Sequence, residues 1–285
     1  MKVITSIQEM QETVTAEKKQ GNTIGFVPTM GFLHEGHISL LHQAVKDNDI
    51  VVMSVFVNPL QFGPNEDFDR YPRDFEKDEQ AAREAGVDII FYPAVEEMYP
   101  SEPAVTVSVV KRTDVLCGKS RPGHFDGVAT VLTKLFHIVM PDRVYFGMKD
   151  AQQAAVVDGL IKDFNFPITL AACPTKREED GLAKSSRNVY LSEAERREAP
   201  ALYESLLLAA DSYRDGERDP ERLRSTIHDN LNDRLTTGDI EYVEVLTYPE
   251  LQKTDRCQDR MIMALAVRFG GARLIDNIVL GKEDH

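Results

Sequence analysis

Residues 50–57 read IVVMSVFV, and Ser54 is the one polar side chain in the run. A strand with one face in water alternates apolar and polar residues, and this one does not. It must be covered on both faces, as in a parallel sheet flanked by helices. The surrounding sequence supplies the alternation. Residues 23–28 (TIGFVP) form a short apolar run closed by proline, a buried strand. Residues 36–47 then set Ile38, Leu41, Ala44 and Val45 on one helical face. A charged helix over 74–85 is closed by Gly86, and strands are predicted at 87–92 and 105–110. A helix over 126–139 turns Val128, Val131, Leu132, Leu135 and Ile138 inward; a strand at 143–146, a helix at 150–162 and a strand at 167–172 follow. This order predicts an α/β fold, a Rossmann-like parallel sheet with helices on both faces.

The texture changes after Tyr190. Residues 192–213 and 220–235 predict two charged amphipathic helices, the first opened by a Ser192/Glu195 capping box. Strands are expected at 240–246, 260–267 and 272–279, which makes a smaller C-terminal α+β domain. The division expected is 1–187 and 188–285. At roughly 150 residues per domain, a chain of 285 residues suits two ordinary domains.

Composition narrows the class. The 42% hydrophobic content is enough for a core, so general disorder is excluded. No apolar run approaches the ~20 residues of a membrane span. The first ten residues are mixed and polar, unlike a secretory signal. Cys117, Cys173 and Cys257 lie far apart, which argues against a disulfide framework or a cysteine zinc site and fits a reducing cytoplasm. The net charge of −14 disfavours nonspecific nucleic-acid binding, yet says little about any single cleft.

Five motifs sit at strand ends or loops, where open α/β sheets bind ligands. Residues 28–37 read PTMGFLHEGH. A strand-to-helix junction with Gly31 and Gly36 offers free N–H groups to an anion, and His34 and His37 add donors. A lone histidine there would read as a surface residue on a turn, but two around a glycine point to chemistry. A zinc-protease site is excluded, because His-Glu-x-x-His needs two residues after the glutamate and only Gly36 separates Glu35 from His37. Residues 58–62 (NPLQF) place the uncharged donor–acceptor Gln61 after the buried strand. Residues 120–125 (SRPGHF) set Arg121 and His124 ahead of a helix. Gly118-Lys119-Ser120 is not a P-loop, since the leading glycine position is Thr113. Gly147-Met148-Lys149-Asp150, with Gln152 and Gln153, puts an ammonium at the end of a strand. Lys184-Ser185-Ser186-Arg187-Asn188 combines two hydroxyls and two cations in a phosphate-gripping stretch; alone it would read as a polar interdomain loop.

Together with RYPRDFEKD (70–78), SRPGHFDGVATV (120–131), DGLAKSSRN (180–188) and ARLIDN (272–277), these stretches resemble the pantoate–β-alanine ligase family. That family belongs to the nucleotidylyltransferase superfamily with the HIGH signature, written here His34-Glu35-Gly36-His37. The resemblance implies an ATP-dependent ligase that condenses (R)-pantoate with β-alanine through pantoyl adenylate, releasing AMP and diphosphate. It implies ATP contacts from Met30, Gly31, Phe32, Leu33, His34, Glu35, Gly36 and His37. It implies further contacts from Gly147, Met148, Lys149 and Asp150, the main chain near Lys176, and Lys184, Ser185, Ser186 and Arg187. Gln61 and Gln153 match the pantoate contacts, Gln61 also lies by the β-alanine site, and His37 matches the proton donor. His34, Lys149 and Arg187 complete the implied catalytic set. Mg2+ is expected on the ATP phosphates, with protein ligands unassigned. A cytoplasmic homodimer, with no nucleic-acid or membrane partner, completes the implication.

The chain departs from the family pattern twice. Met148 stands where a glutamate is common, and Lys184 where an apolar residue is common. The first points to a main-chain contact at 148; the second adds a cation near the phosphates. Residues 63–71 and 175–187 are expected to close over a water-labile adenylate. Two alternatives stay open at this point: a related nucleotidylyltransferase that stops at the adenylylated product, and a nonenzymatic nucleotide-binding module.

Overall fold

The computed structural model describes residues 1–63, 68 and 71–281; residues 64–67, 69, 70 and 282–285 lie outside the described set, and with them most of the expected lid at 63–71. In chain order the first elements are β1 (Lys2–Ile4), α1 (Ile7–Lys19), β2 (Ile24–Thr29), α2 (Glu35–Asp47) and β3 (Ile50–Val55). Next come α3 (Phe75–Glu84), β4 (Ile89–Phe91), α4 (Val95–Met98), α5 (Leu116–Ser120) and α6 (His124–Val139). Then follow β5 (Arg143–Gly147), α7 (Ala151–Asp163), β6 (Thr169–Cys173), α8 (Glu193–Glu198), α9 (Ala201–Arg214) and α10 (Pro220–Arg234). The last three are β7 (Asp239–Thr247), β8 (Arg260–Arg268) and β9 (Arg273–Gly281).

The chain divides into two compact units. Unit 1 is Met1–Val110, Arg121–Gly147 and Val156–Cys173; unit 2 is Lys111–Ser120, Met148–Ala155 and Pro174–His285.

Unit 1 holds a six-stranded sheet in the order β1-β4-β3-β2-β5-β6, parallel at every pairing. Both faces are covered, as the 50–57 run requires. Phe26, Val52, Phe91, Val144 and Phe146 pack with residues of α1, α6 and α7, while Val27, Val51, Met53, Ile90 and Tyr145 pack with α2 and α3. Adjacent strand residues thus feed opposite cores, the period of two that a strand imposes.

Unit 2 holds a three-stranded antiparallel sheet, β7-β8-β9. One face packs Met261, Met263, Leu265 and Val267 against α9 and α10 residues such as Leu206, Leu223 and Ile227. The other face packs Leu246, Ile262 and Ala264 against Val115, Leu116, Ala151 and Ala155. Those last four residues explain why 111–120 and 148–155 belong to this unit; with the stretch from Pro174 they are where the units differ from a division at 187/188.

Two sequence expectations are corrected. Residues 105–110 form no strand of either sheet: the N–H groups of Val107 and Val109 go to side chains of α6. The single helix expected at 192–213 is two, α8 and α9, parted at Pro200. A proline inside a helix lacks the donor and crowds the carbonyl four residues back. The Ser192/Glu195 capping box is present, with Ser192 N–H donating to Glu195 Oε2 at 2.7 Å. β1 and α1 were missed, although Ser6 caps α1 and Met10 and Val14 mark its buried face.

Candidate active site

In unit 1 the chain runs from β2 outward to β3 and β4, then returns to add β5 and β6 on the other side of β2. Strand order therefore reverses between β2 and β5, and ligand crevices in open α/β sheets form beyond the carboxyl ends at such a point. The turn from β2 into α2 lies there. Gly31 (φ 82°) and Phe32 (φ 54°) are both left-handed, which folds the chain back sharply before His34.

Asp78 of α3 holds that turn. It is 2% exposed, and its carboxylate accepts the N–H of Phe32 at 2.8 Å and of Leu33 at 2.7 Å. A Cβ on Gly31 would stand 2.8 Å from Asp78 Oδ2, so glycine is needed for the close approach as well as the φ. Removing the carboxylate leaves two N–H groups without their acceptor, at a cost of ~1–3 kcal/mol. Asp78→Ala should lose about that much stability in urea denaturation and release AMP more slowly. Asp78→Asn, which keeps one acceptor oxygen, should fall between it and the parent chain. A stability and rate unchanged in Asp78→Ala would remove Asp78 from this role.

His34 is the N-cap of α2. Its Nδ1 accepts the N–H of Gly36 at 3.1 Å, and His37 Nδ1 accepts the N–H of His34 at 3.3 Å. The two rings thus form a reciprocal capping box, with centroids 4.1 Å apart. A side chain on Gly36 would meet the His34 ring at 2.8 Å, so Gly36 lets that ring fold over the helix start. Because each Nδ1 accepts, the proton of each neutral ring sits on Nε2. The helix start therefore carries two Nε2–H donors, and its own dipole favours an anion.

Gln61 closes a 3-10 turn, Pro59–Gln61, capped by Asn58. Asn58 is 1% exposed; its Nδ2 donates to Gly127 O at 3.0 Å and Gln61 Oε1 at 3.3 Å, and its Oδ1 accepts from Tyr99 OH at 3.0 Å. With Oε1 so engaged, Gln61 Nε2 points to Met30 Sδ at 3.0 Å, which brings the second motif to the first. His124 adds the third: its Nδ1 lies 2.9 Å from Gln61 O and its Nε2 3.0 Å from Arg121 Nη1. A carbonyl can only accept, so here Nδ1 carries the proton and Nε2 accepts from the guanidinium. A cavity of about 400 Å³ in unit 1 is lined by Met30, Val55, Phe56, Phe75, Asp78 and Tyr92 among others. Its lining includes neither histidine, so it is distinct from the donor pair.

Gly147 ends β5 in unit 1, and Met148, Lys149 and Asp150 form a 3-10 turn in unit 2. Asn277 Nδ2 donates to the carbonyls of Met148 at 2.8 Å and Lys149 at 3.1 Å. The Met148 side chain packs inward, its Sδ 3.6 Å from Tyr248 OH, in keeping with a main-chain role at that position. Gln152 is a structural clamp: it is 6% exposed, donates to Arg112 O and Val115 O at 2.8 Å each, and accepts from Gly118 N–H at 3.2 Å. Gln153 beside it is half-buried.

Lys176 and Lys184 meet across a short bridge, with Lys184 N–H donating to Lys176 O at 2.9 Å. Lys184 Nζ lies 3.4 Å from Glu178, so part of the added positive charge is matched locally. Arg177 anchors the loop. It forks onto the buried Asp276 at 2.6 and 2.9 Å, stacks on Tyr203 at 3.5 Å and donates to Gly181 O at 3.1 Å. Ser185 caps the turn Ser186–Tyr190 by accepting the N–H of Arg187 at 3.2 Å. The expected lid at 175–187 is thus pinned at its centre. Asp78, Asn58, Asn277 and the Arg177–Asp276 pair are the site-building residues that the sequence did not single out by role.

Burial pushes the Cys173 thiol up to about 11 and raises Cys257 as well, so neither supplies a thiolate near neutrality. Among the described residues no three His, Cys, Asp or Glu side chains cluster as a metal site, and no helix is long and apolar enough to cross a membrane.

Comparison with known proteins completes the picture. The family model for pantoate-beta-alanine ligase matches residues 2–279. A pantothenate synthetase from Geobacillus sp. (strain WCH70) is 64% identical over 280 residues, covering 98% of this chain and 99% of the relative. Among solved structures, the pantothenate synthetase of Thermus thermophilus is 43% identical with a TM-score of 0.90, covering 98% of this chain and 99% of that one. The pantoate-beta-alanine ligase of Francisella tularensis, complexed with beta-gamma ATP and beta-alanine, is 36% identical with a TM-score of 0.78, covering 98% and 97%. Matched along nearly its whole length, this chain belongs to the pantoate–β-alanine ligase family, enzymes that condense pantoate with β-alanine using ATP.

Proposed function

We propose that this chain runs the condensation in two steps through a pantoyl adenylate. A pantoate carboxylate oxygen attacks the α-phosphorus of ATP; the bond from that phosphorus to the bridging oxygen breaks and diphosphate leaves. The amine of β-alanine then attacks the acyl carbon, loses a proton and expels AMP. The substrate brings its own nucleophile, so the protein must position two anions and steady the charge that develops. The observation that carries this reading is the reciprocal histidine cap, which sets both imidazole rings at the start of α2.

In this reading His34 and His37 donate to phosphate oxygens, and the main chain of Met30–His37 lines the ATP. Lys149, Lys184 and Arg187 offset phosphate charge, Ser185 and Ser186 donate hydroxyls, and the main chain of Gly147–Asp150 and near Lys176 meets the nucleotide. Mg2+ would come bound to ATP as the substrate MgATP and would offset charge on its phosphates. A homodimer in a reducing cytoplasm is part of the same proposal.

Gln61 and Gln153 would orient pantoate, and Gln61 would serve β-alanine too. An amide reads hydroxyls and carboxylate without neutralising the nucleophile. Gln61→Arg should therefore slow adenylate formation at least tenfold while pantoate binding changes less. Single-turnover kinetics showing weak binding with an undiminished chemical step would reverse this assignment.

The two-step reading is tested by AMP release with pantoate and ATP, with and without β-alanine. Sustained turnover is expected only with all three substrates. Sustained diphosphate release without β-alanine, with no AMP formed, would instead mark an enzyme that stops at the adenylate.

A further inference from the structure

Lys149 is half-buried, and among the described residues its ammonium makes no ion pair and no hydrogen bond. With its tip unheld, its reach is set by the main chain that carries it. That main chain is clamped. Asn277 of β9 is 8% exposed, and its one amide nitrogen spends both protons on consecutive carbonyls, Met148 O at 2.8 Å and Lys149 O at 3.1 Å. The Met148 side chain seats the same turn from the other end, packed on the layer of Leu246, Ile262 and Ala264.

Asn277 is itself held. β9 is an outer strand of its sheet, and the Asn277 N–H donates to Asp276 Oδ1 at 2.7 Å. That buried carboxylate takes the fork of Arg177 on both oxygens. Successive strand residues face opposite sides. Asp276 shares its side with Leu274 and Leu280, which pack toward α9, where Arg177 stacks on Tyr203. Asn277 shares its side with Val279, which packs in the layer that holds Met148. All of these residues belong to unit 2. Two neighbouring residues of one strand thus anchor both the Lys149 turn and the loop from Lys176 to Lys184.

We infer that Asn277 is a positioning residue for adenylate formation: its amide fixes the turn from which Lys149 springs, so the ammonium meets the triphosphate already aimed. The inference rests on the role proposed above for Lys149. Asn277 acts through Lys149, so its effect on the chemical step should vanish where that lysine is absent. Gln152 supplies the contrast within the same unit. It also donates to two carbonyls, those of Arg112 and Val115, but no substrate contact is assigned to that segment.

Single-turnover adenylate formation from MgATP and pantoate, measured on the full chain in a double-mutant cycle, tests this. Lys149→Ala should slow the step about a hundredfold. Asn277→Ala should slow it about tenfold and leave pantoate binding unchanged. Added to Lys149→Ala, it should cost no more than about twofold. Gln152→Ala should lower the urea midpoint, and any factor it costs in rate should be the same with and without Lys149. Asn277→Ser, whose shorter hydroxyl can serve one carbonyl at most, should be slowed less than Asn277→Ala and be masked in the same way; it carries the cycle alone if the alanine variant does not fold. Asn277 variants as fast as the parent, or slowed by one factor whether or not Lys149 is present, would overturn the positioning role and leave Lys149 in its place. A parent-like rate in Lys149→Ala would overturn both.

Discussion

His37→Ala should lose about two to three orders of magnitude in the rate of AMP release, the effect of removing one preorganised donor to a developing oxyanion. The histidine does two things, and they can be separated. Its Nδ1 accepts the N–H of His34 and so closes the cap of α2; its Nε2–H is the donor assigned to the phosphates. The cap is worth about 1 kcal/mol of stability, the donor about 3–4 kcal/mol of barrier. Asparagine sets its amide near the Nδ1 position and glutamine sets its amide near Nε2. His37→Asn should therefore regain the melting temperature but little activity, and His37→Gln should regain part of the activity. If Asn restored turnover and Gln did not, the side chain would be acting through the cap alone.

Arg177→Ala should cost about 3–5 kcal/mol of folding stability, because it leaves a buried carboxylate without its cation. Asp276 is 3% exposed, and the fork from Arg177 meets both its oxygens. The same guanidinium stacks on Tyr203 and ties Gly181 O, so the change frees the loop from Lys176 to Lys184. KM for ATP should rise alongside the loss of stability, since Lys184 and its neighbours no longer share one geometry. Urea denaturation and initial-rate kinetics on the same sample measure both. Asp276→Asn, which leaves the arginine next to a neutral acceptor, should cost less. A variant as stable as the parent, with unchanged KM, would show that the fork does not anchor the loop.

Much of the fold could be read from local patterns. The unbroken apolar run at 50–57 demanded two covered faces, and the sheet of unit 1 has them. The PTMGFLHEGH stretch promised a strand-to-helix junction, and the turn from β2 into α2 carries both histidine rings at the helix start. Residues 105–110 show the limit of periodicity: the pattern of a strand was present, but a strand needs a neighbour, and the nearest hydrogen-bond partners belong to α6. Pro200 could have been read as a break, since proline inside a helix has a known cost. The supports of the site could not. Asp78 reaches back 46 residues to Phe32, Asn277 128 residues to Lys149, and Arg177 forward 99 to Asp276. Asp78, Asp276 and Asn277 lie in stretches that resembled the family and Arg177 lies outside them, yet no spacing rule links an aspartate on one helix to a turn after a distant strand. The histidine tautomers were equally hidden, because they depend on which backbone N–H each Nδ1 accepts.

The central claim is that pantoate is adenylated on this chain with the α2 histidine cap as donor. The most direct measurement is exchange of labelled diphosphate into ATP, with pantoate present and β-alanine left out. Adenylate formation is reversible, so exchange should be robust, depend on pantoate, and fall in His37→Ala by the same factor as overall turnover. Normal pantothenate formation without any pantoate-dependent exchange, or exchange untouched by His37→Ala, would contradict it.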